Sequence, residues 1–259
     1  LSSSSAASDV YKRQPLPLSA RRGRMSEDPS VCLIDRVDEL AAYVGQLLSQ
    51  GAPVAIDFEG VDLCREGQLC LVQLAPLGSP AVLVDVVTLG SAAFSHGRLK
   101  ELLESTEVMK VGYDGRADSD ALNVLGVRMR HFFDIQVLYC TLRDKRAGRK
   151  DRYLKGLMWA LDELLPPSEA AVLKAIKEEG NKLFAPERGG SYDVWLRRPL
   201  PHALIRYAVA DVQYLHRMRM EWAHAAEESL VLQIATSRIE QTLNDPEPAK
   251  GRKKAIKDW

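Results

Sequence analysis

The amino-acid sequence predicts an α/β protein built on a mixed sheet, in which an antiparallel meander leads into parallel strands and helices pack on the faces. Two observations carry the prediction. Three strand-like runs, Pro53–Glu59, Leu69–Ala75 and Ala81–Val86, are joined by connections too short for a helical crossover, which takes roughly a dozen residues or more. From residue 97 onward, helical and strand patterns then alternate, and such βαβ alternation favours parallel pairing. At 259 residues with 46% hydrophobic content, the chain can bury one core of about 150 to 200 residues with appendages. A single domain is expected over residues 30–235.

The periodic part opens with an amphipathic helix near Val37–Leu48, where Leu40, Val44 and Leu47 or Leu48 recur at helical spacing. In Pro53-Val-Ala-Ile-Asp-Phe-Glu59, Val54, Ile56 and Phe58 face one side while Ala55, Asp57 and Glu59 face the other. The two further meander strands follow. Next come a helix around Gly97–Leu103, a strand at Val108–Gly112, a helix over Arg116–Val124 and a short strand at His131–Asp134. Residues 166–194 read as a helical insertion with a loose segment around Pro186–Ser191, whose helices would form a rim or a homodimer contact. A helix over Pro201–Met220 aligns Leu204, Tyr207, Ala208, Asp211 and Leu215 on one stripe. By analogy of fold, this order of elements is that of ribonuclease H-like mixed sheets.

Both ends fall outside the expected domain. Residues 1–24 are expected to be a disordered artefact or leader: Leu1–Ala7 is of low complexity, Asp9–Gln14 matches the translation of a sequencing-library transposon end, and Met25 offers a start. Residues 236–259 are expected to be a disordered basic polar tail, given Asn-Asp-Pro-Glu-Pro and the Lys250–Lys254 run. The formal net charge is zero, so any affinity for nucleic acid must come from local patches. Cys32, Cys64, Cys70 and Cys140 contain no Cys-x-x-Cys pair and sit in apolar surroundings, which favours reduced thiols over a disulfide framework or zinc site. No apolar run approaches the roughly 20 residues of a membrane span. An intracellular, soluble protein is expected, in cytoplasm, nucleus or mitochondrion.

Acidic residues mark the candidate site. Asp57 and Glu59, two positions apart on a strand, lie about 6.5 to 7 Å apart at the backbone and point the same way, so their side chains can share a metal. On the Arg116–Val124 helix, Asp118 shares the inward side of Leu122 and Leu125, whereas Asp120 is rotated away and expected to be solvated. Asp114 is read as a helix N-cap, with support of the site as the alternative. Tyr207 and Asp211 are helix neighbours four residues apart. Clustered carboxylates of this kind point to divalent cations.

With these residues in hand, the chain resembles the DEDD family of 3′-to-5′ exonucleases, in the tyrosine-containing branch that includes ribonuclease D and the Werner-syndrome exonuclease domain. Asp57-Phe-Glu59 matches the first motif, Lys110-Val-Gly-Tyr-Asp-Gly-Arg116-Ala-Asp118 through Leu122 the second, and Tyr207 through Asp211 the third. Within the family the chain is most similar to the Egalitarian-like exonuclease-domain group. That similarity lies in Glu59-Gly60-Val61, Arg65-Glu-Gly67, Leu71–Leu74, Phe133-Asp134-Ile-Gln136 and Trp195-Leu-Arg-Arg-Pro199-Leu200. The resemblance covers residues 35–220. It departs at Tyr113, where many relatives have histidine.

The resemblance implies hydrolysis of phosphodiester bonds in RNA or single-stranded DNA from a free 3′ end, with two Mg2+ or Mn2+ ions. It implies Asp57, Glu59, Asp118 and Asp211 as metal ligands, with Asp57, Glu59 and Asp211 at the water-bearing ion, Asp57 bridging and Asp118 on the side of the second ion. It also implies Tyr207 as the partner of the attacking water. Gly60 and Val61 would leave room for the terminal nucleotide, or Gly60 would serve a strand-exit turn. Arg143, Lys145, Arg146, Arg149, Lys150, Arg152 and Lys155 place seven cations in 13 residues, read as a mobile basic loop contacting phosphates, with Arg146, Arg149 and Lys150 as its candidates. Trp195 is expected to pack, whereas Arg197 and Arg198 either pack or hold a phosphate. A nucleic-acid-binding scaffold of the Egalitarian kind, with the fold retained and no catalysis, is the competing reading.

Overall fold

The structure is a computed structural model that describes residues 31–249, 255–257 and 259. The leader expected over residues 1–24 and the basic run at 250–254 lie outside the described residues. The sheet contains β1 (Cys32–Ile34), β2 (Val54–Val61), β3 (Gln68–Pro76), β4 (Val82–Asp85), β5 (Lys110–Gly112) and β6 (Phe132–Asp134) in the order β1-β4-β3-β2-β5-β6. β2, β3 and β4 pair antiparallel, and β5 and β6 continue the sheet in parallel beyond β2. This is the meander followed by parallel strands that the connection lengths require. β1 is an addition, pairing parallel with β4. Its three residues are too few to produce a visible alternation.

Alternation along β2 divides the protein into layers. Val54, Ile56 and Phe58 join Val72, Leu74 and Val84 in a core with α1 (Val37–Gln50), α2 (Val86–Leu89), α3 (Leu99–Glu104) and Leu122 of α4 (Arg116–Val124). Helix α1 stops at Gly51, whose φ of 63° is open to glycine and whose N–H returns to the Leu47 carbonyl. The opposite face of the sheet is closed by two adjoining cores. One gathers Ala55, Ala75 and Val111 with α5 (Ile135–Ala147), α6 (Leu157–Leu164) and α9 (Leu215–Glu221). The other gathers Leu71 and Leu83 with Trp195 and with Leu204, Ile205 and Ala208 of α8 (His202–Val212). The expected single helix over Pro201–Met220 is thus two, α8 and α9, with Gln213 and Tyr214 between them.

Two expectations are corrected and one is met. The basic run is not wholly a loop, because Arg143, Lys145 and Arg146 lie in α5, where a buried stripe including Val137, Leu138 and Leu142 outweighs the polar C-terminal turn. The expected helical insertion is present, chiefly as one helix, α7 (Pro167–Phe184), which starts on a proline suited to a first turn and packs along α8, with the expected looser segment after it. The second correction concerns the C-terminal boundary. Helix α10 (Glu228–Asn244) crosses residue 236 and buries Val231, Ala235, Arg238 and Ile239 against α4, α5 and β6. One of those four buried residues is a charged arginine, which hid the stripe from a pattern based on hydrophobicity. Beyond it, Tyr153 bridges to Ile256, and Lys257 pairs with Asp144. The four cysteines are free thiols. No helix among the described residues is long and apolar enough to cross a membrane.

Candidate active site

The site forms where β2 passes beneath α8. Strand alternation turns Asp57 and Glu59 toward that helix, and Asp211 comes down from it, so that one carboxylate oxygen from each of the three lies within 4.8 Å of the others. Asp211 is 8% exposed, and its Oδ2 is buried without a hydrogen-bond partner among the described residues. Burial raises the Asp57 carboxyl well above its ordinary pKa, reinforced by the charges of Asp211, Asp118 and Glu59. Glu59 is raised in the same way, by burial and then by Asp211. Such a group of hard oxygens, mutually repelling and with an unsatisfied buried acceptor, fits divalent cations.

Asp118 reaches the site from the opposite layer. It sits in the first turn of α4, which packs on the Ile56 face through Leu122, and it stands outside the three-carboxylate group. Its charge nevertheless acts on both Asp57 and Glu59. Leu125, expected on the same inward side, is 46% exposed because it caps the helix and lies beyond its buried stripe.

The turn that carries Asp118 is held from below. Asp114 has a φ of 59° and is not a side-chain cap: Gly115 occupies the N-cap position, and the Asp114 carboxylate pairs with Arg116 at 2.6 Å and Arg238 at 3.3 Å. Asp134 accepts from the N–H groups of Asp114 and Gln136, both at 2.9 Å, and pairs with Arg238, which also donates to Gln136 Oε1 at 2.7 Å. The Phe133–Gln136 motif therefore anchors the β5–α4 turn to α10. Asp120, expected in solvent, is 1% exposed. It accepts from Arg65 Nε at 2.7 Å and from the Ala249 N–H at 3.1 Å, while other Arg65 nitrogens donate to the Thr242 and Asp245 carbonyls. Helix α10 and its C-terminal extension cover the side of α4 that the chain pattern left open to water.

Tyr207, one turn before Asp211, is packed against Phe184 at 5.1 Å edge-on and Trp195 at 6.3 Å between ring centroids. Burial and the nearby carboxylates of Asp211, Glu59 and Asp57 raise its pKa, so its hydroxyl keeps its proton. Beneath the ring, Gly180 of α7 leaves no space for a side chain, since a Cβ there would stand 2.5 Å from Tyr207 Cδ2. One turn earlier on the same helix is a residue that sequence reasoning missed. Lys177, 6% exposed, places Nζ 3.2 Å from the Tyr207 ring centroid and ion-pairs with Asp211. It lies in a Lys/Glu-rich segment indistinguishable from a solvated helix face. The available signal was its spacing from Gly180, which shares its face of α7.

The remaining candidates divide. Gly60 sits at a bulge between Glu59 and Gly60, and a Cβ there would meet the Gln68 carbonyl oxygen at 2.0 Å. Close backbone approach therefore accounts for this glycine. Val61 is half-buried against the Trp195 core. Arg198 is committed to structure, donating to both Asp85 oxygens at 2.6 Å and to the Trp195 carbonyl at 2.8 Å, and so fastens the approach to α8 onto β4. Trp195 is buried at 1% exposure, as its packing role required. Arg197 is exposed. Arg146 is exposed and paired with Glu163, whereas Arg149 and Lys150 lie exposed in the segment after α5. That segment is tied to the site side of the sheet by the Lys155 carbonyl, which accepts from Tyr113 Oη at 2.8 Å and Gln136 Nε2 at 3.2 Å. Tyr113 thus links the second motif to the basic segment.

A family model described as 3′–5′ exonuclease matches residues 32–221. The piRNA biogenesis protein EXD1 of Mus musculus is 28% identical over 200 residues, covering 75% of this chain and 33% of that protein. Ribonuclease D of Jannaschia sp. (strain CCS1) is 31% identical over 195 residues, covering 71% of this chain and 42% of that protein. The chain therefore spans less than half the length of these curated relatives. Among solved structures, RNase D of Trypanosoma brucei in complex with GMP superposes with a TM-score of 0.66 at 22% identity, covering 86% of this chain and 66% of that one. The catalytic core of RRP6 from the same organism superposes with a TM-score of 0.59 at 19% identity, covering 83% and 52%. These likenesses agree on the fold, and the family match runs from β1 to the end of α9 and so contains every carboxylate of the site. The chain belongs to the 3′–5′ exonuclease family, as a ribonuclease D-like member of its DEDD class.

Proposed function

We propose that the chain removes nucleotides one at a time from the 3′ end of RNA by metal-dependent hydrolysis. The observation that carries this reading is the convergence of Asp57, Glu59 and Asp211 on one point, with the charge of Asp118 bearing on it and Tyr207 one helical turn away. Asp57, Glu59 and Asp211 would hold a divalent cation, Mg2+ or Mn2+, and Asp118 would contribute to holding a second. Bound cations supply a nucleophilic water at neutral pH and offset the charge that builds on the phosphate and the departing 3′ oxygen. Tyr207, protonated at Oη, orients the attacking water by hydrogen bonding. Phe184, Trp195 and Gly180 keep its ring in one place, and fixed placement is where such an orienting contact gains its effect.

RNA is favoured over DNA because the named relatives include a ribonuclease D and a piRNA biogenesis protein, and a further Trypanosoma brucei RNase D structure is a complex with RNA U12. Exposed Arg149, Lys150 and Arg152 lead into exposed Tyr153 and Trp159, and Lys155, between these two aromatics, stands 5.6 Å from the Trp159 ring. Cations interleaved with aromatic faces suit the phosphates and bases of a single strand.

The test is incubation of the protein with matched 5′-labelled single-stranded RNA and DNA, with Mg2+, Mn2+ or chelator. A metal-dependent ladder that shortens RNA from its 3′ end is expected. DNA shortened instead would reverse the substrate. Tight binding with no shortening under any metal would favour the scaffold.

A further inference from the structure

We infer that Lys177 is a resident counter-ion of the carboxylate site, competing with the divalent cation for Asp211 and so setting the metal concentration at which the site loads. The inference rests on the metal-binding reading of Asp57, Glu59 and Asp211 and adds a component that none of the three motifs contains.

Lys177 has no ordinary reason to be where it is. A lysine on an exposed helix turns its ammonium to water, and burial of that charge is unfavourable unless it is paired. Here α7 lies along α8, and Gly180 lets the two helices approach until the Tyr207 ring fills the space above it. One turn back, the Lys177 side chain is directed inward. Its ammonium pairs with Asp211, lies over the face of Tyr207 at 3.2 Å from the centroid, and lowers the cost of charge on both Asp57 and Glu59. It is thereby in contact with one carboxylate of the cluster and acts electrostatically on the other two.

A cation in that place does what a metal ion would do for the protein's stability, although with one charge and on one oxygen of Asp211. The second oxygen, Oδ2, is buried without a hydrogen-bond partner among the described residues, so the neutralisation is incomplete. Asp57, Glu59 and Asp211 would together hold a divalent ion of twice the charge, and for that Asp211 would have to leave the ammonium. The release is feasible because lysine carries its charge on a flexible four-carbon stem. Metal affinity then contains the cost of breaking the Lys177–Asp211 pair, and loading becomes an exchange of a resident monovalent cation for an incoming divalent one.

The test is a calorimetric Mn2+ titration of the full chain with wild-type protein, Lys177→Met and Lys177→Arg, with thermal melts in chelator alongside. Methionine keeps the apolar stem beside Tyr207 and removes the charge. Lys177→Met is expected to bind Mn2+ about ten- to a hundredfold more tightly than wild type, a range set by the strength of a charge pair at an effective dielectric constant of about 20, less the cost of burying the ammonium. In chelator it is expected to melt lower, because the carboxylates lose their counter-ion. Lys177→Arg, which keeps the charge, should remain within a few-fold of wild type and serves as the folded comparison, with Lys177→Gln as the second neutral variant if methionine impairs folding. Neutral variants that bind Mn2+ no more tightly than wild type would overturn the inference and leave the metal reading standing. Absence of saturable Mn2+ binding in wild type and variants alike would overturn both.

Discussion

The clearest consequence of packing three carboxylates around one point is that the protein without metal should be strained by its own active site. Asp57→Asn removes one charge while keeping the shape of the side chain. With oxygens within 4.8 Å, each fully ionised pair would repel by about 3.5 kcal/mol at an effective dielectric constant of about 20. Asp57 has two such neighbours. The realised gain is smaller, because the raised carboxyl pKa values mean that the cluster already shares protons, and because Lys177 offsets part of the charge. A net stabilisation of about 1 to 3 kcal/mol follows, equivalent to a rise in Tm of about 3 to 9 °C for a chain of this size. The assay is a thermal melt in chelator, repeated with Mg2+. Asp57→Asn should melt above wild type in chelator, gain little from Mg2+, and lose hydrolysis of labelled RNA altogether. Wild type should gain the difference back when metal is added. A variant that melts at or below wild type in chelator would show that the carboxylates are not in mutual repulsion, and the electrostatic account of the site would fall.

Three other perturbations probe the supports of the site. Gly180→Ala would place a Cβ 2.5 Å from Tyr207 Cδ2, and the cost of overpacking, about 1 to 3 kcal/mol, should outweigh the roughly 1 kcal/mol that alanine gains in a helix. Turnover should fall by more than RNA affinity, and unchanged kcat would mean the Tyr207 ring is free to move. Arg238→Leu leaves Asp134 and Gln136 without their buried partner and should cost about 3 to 5 kcal/mol in urea unfolding. A loss below 1 kcal/mol would show that α10 does not anchor the β5–α4 turn. Lys110, fully buried and donating to the Ser105 and Val108 carbonyls, has its pKa lowered by burial from 10.5 to about 7. The unfolded chain binds the proton more tightly there, so wild-type stability should rise relative to Lys110→Met between pH 7 and 9, by about 2 kcal/mol. A difference independent of pH would mean that the two carbonyls keep the ammonium charged.

How much of this was legible in the chain depends on the kind of signal each element leaves. Strand alternation turned Asp57 and Glu59 to one side and Ile56 to the other, and short connections dictated the meander, because both are properties of local backbone geometry. Helical spacing likewise joined Tyr207 to Asp211. The signal failed where the partner of a side chain comes from a distant part of the chain. Asp120 lies on the polar side of its own helix, yet Arg65 and the Ala249 N–H bury it. Arg238 makes α10 look like a polar tail, yet it is the cation that Asp114 and Asp134 require.

Lys177 extends the same physics to function. A charge run on a helix is ordinarily a solvated face, and nothing in the local composition of α7 separates Lys177 from Lys174 or Lys182. What separates them is the helix that passes above. Lys174 pairs with Asp162 at the surface, whereas Lys177 meets Tyr207 and Asp211 across the α7–α8 contact that Gly180 permits. The glycine and the lysine are therefore best regarded as one device, since the close approach granted by the first is what carries the charge of the second into the site. A larger residue at position 180 should then weaken the Lys177–Asp211 pair as well as displace Tyr207. Gly180→Ala is thus expected to shift Mn2+ affinity in the same direction as Lys177→Met, and a shift in the opposite direction would separate the two residues.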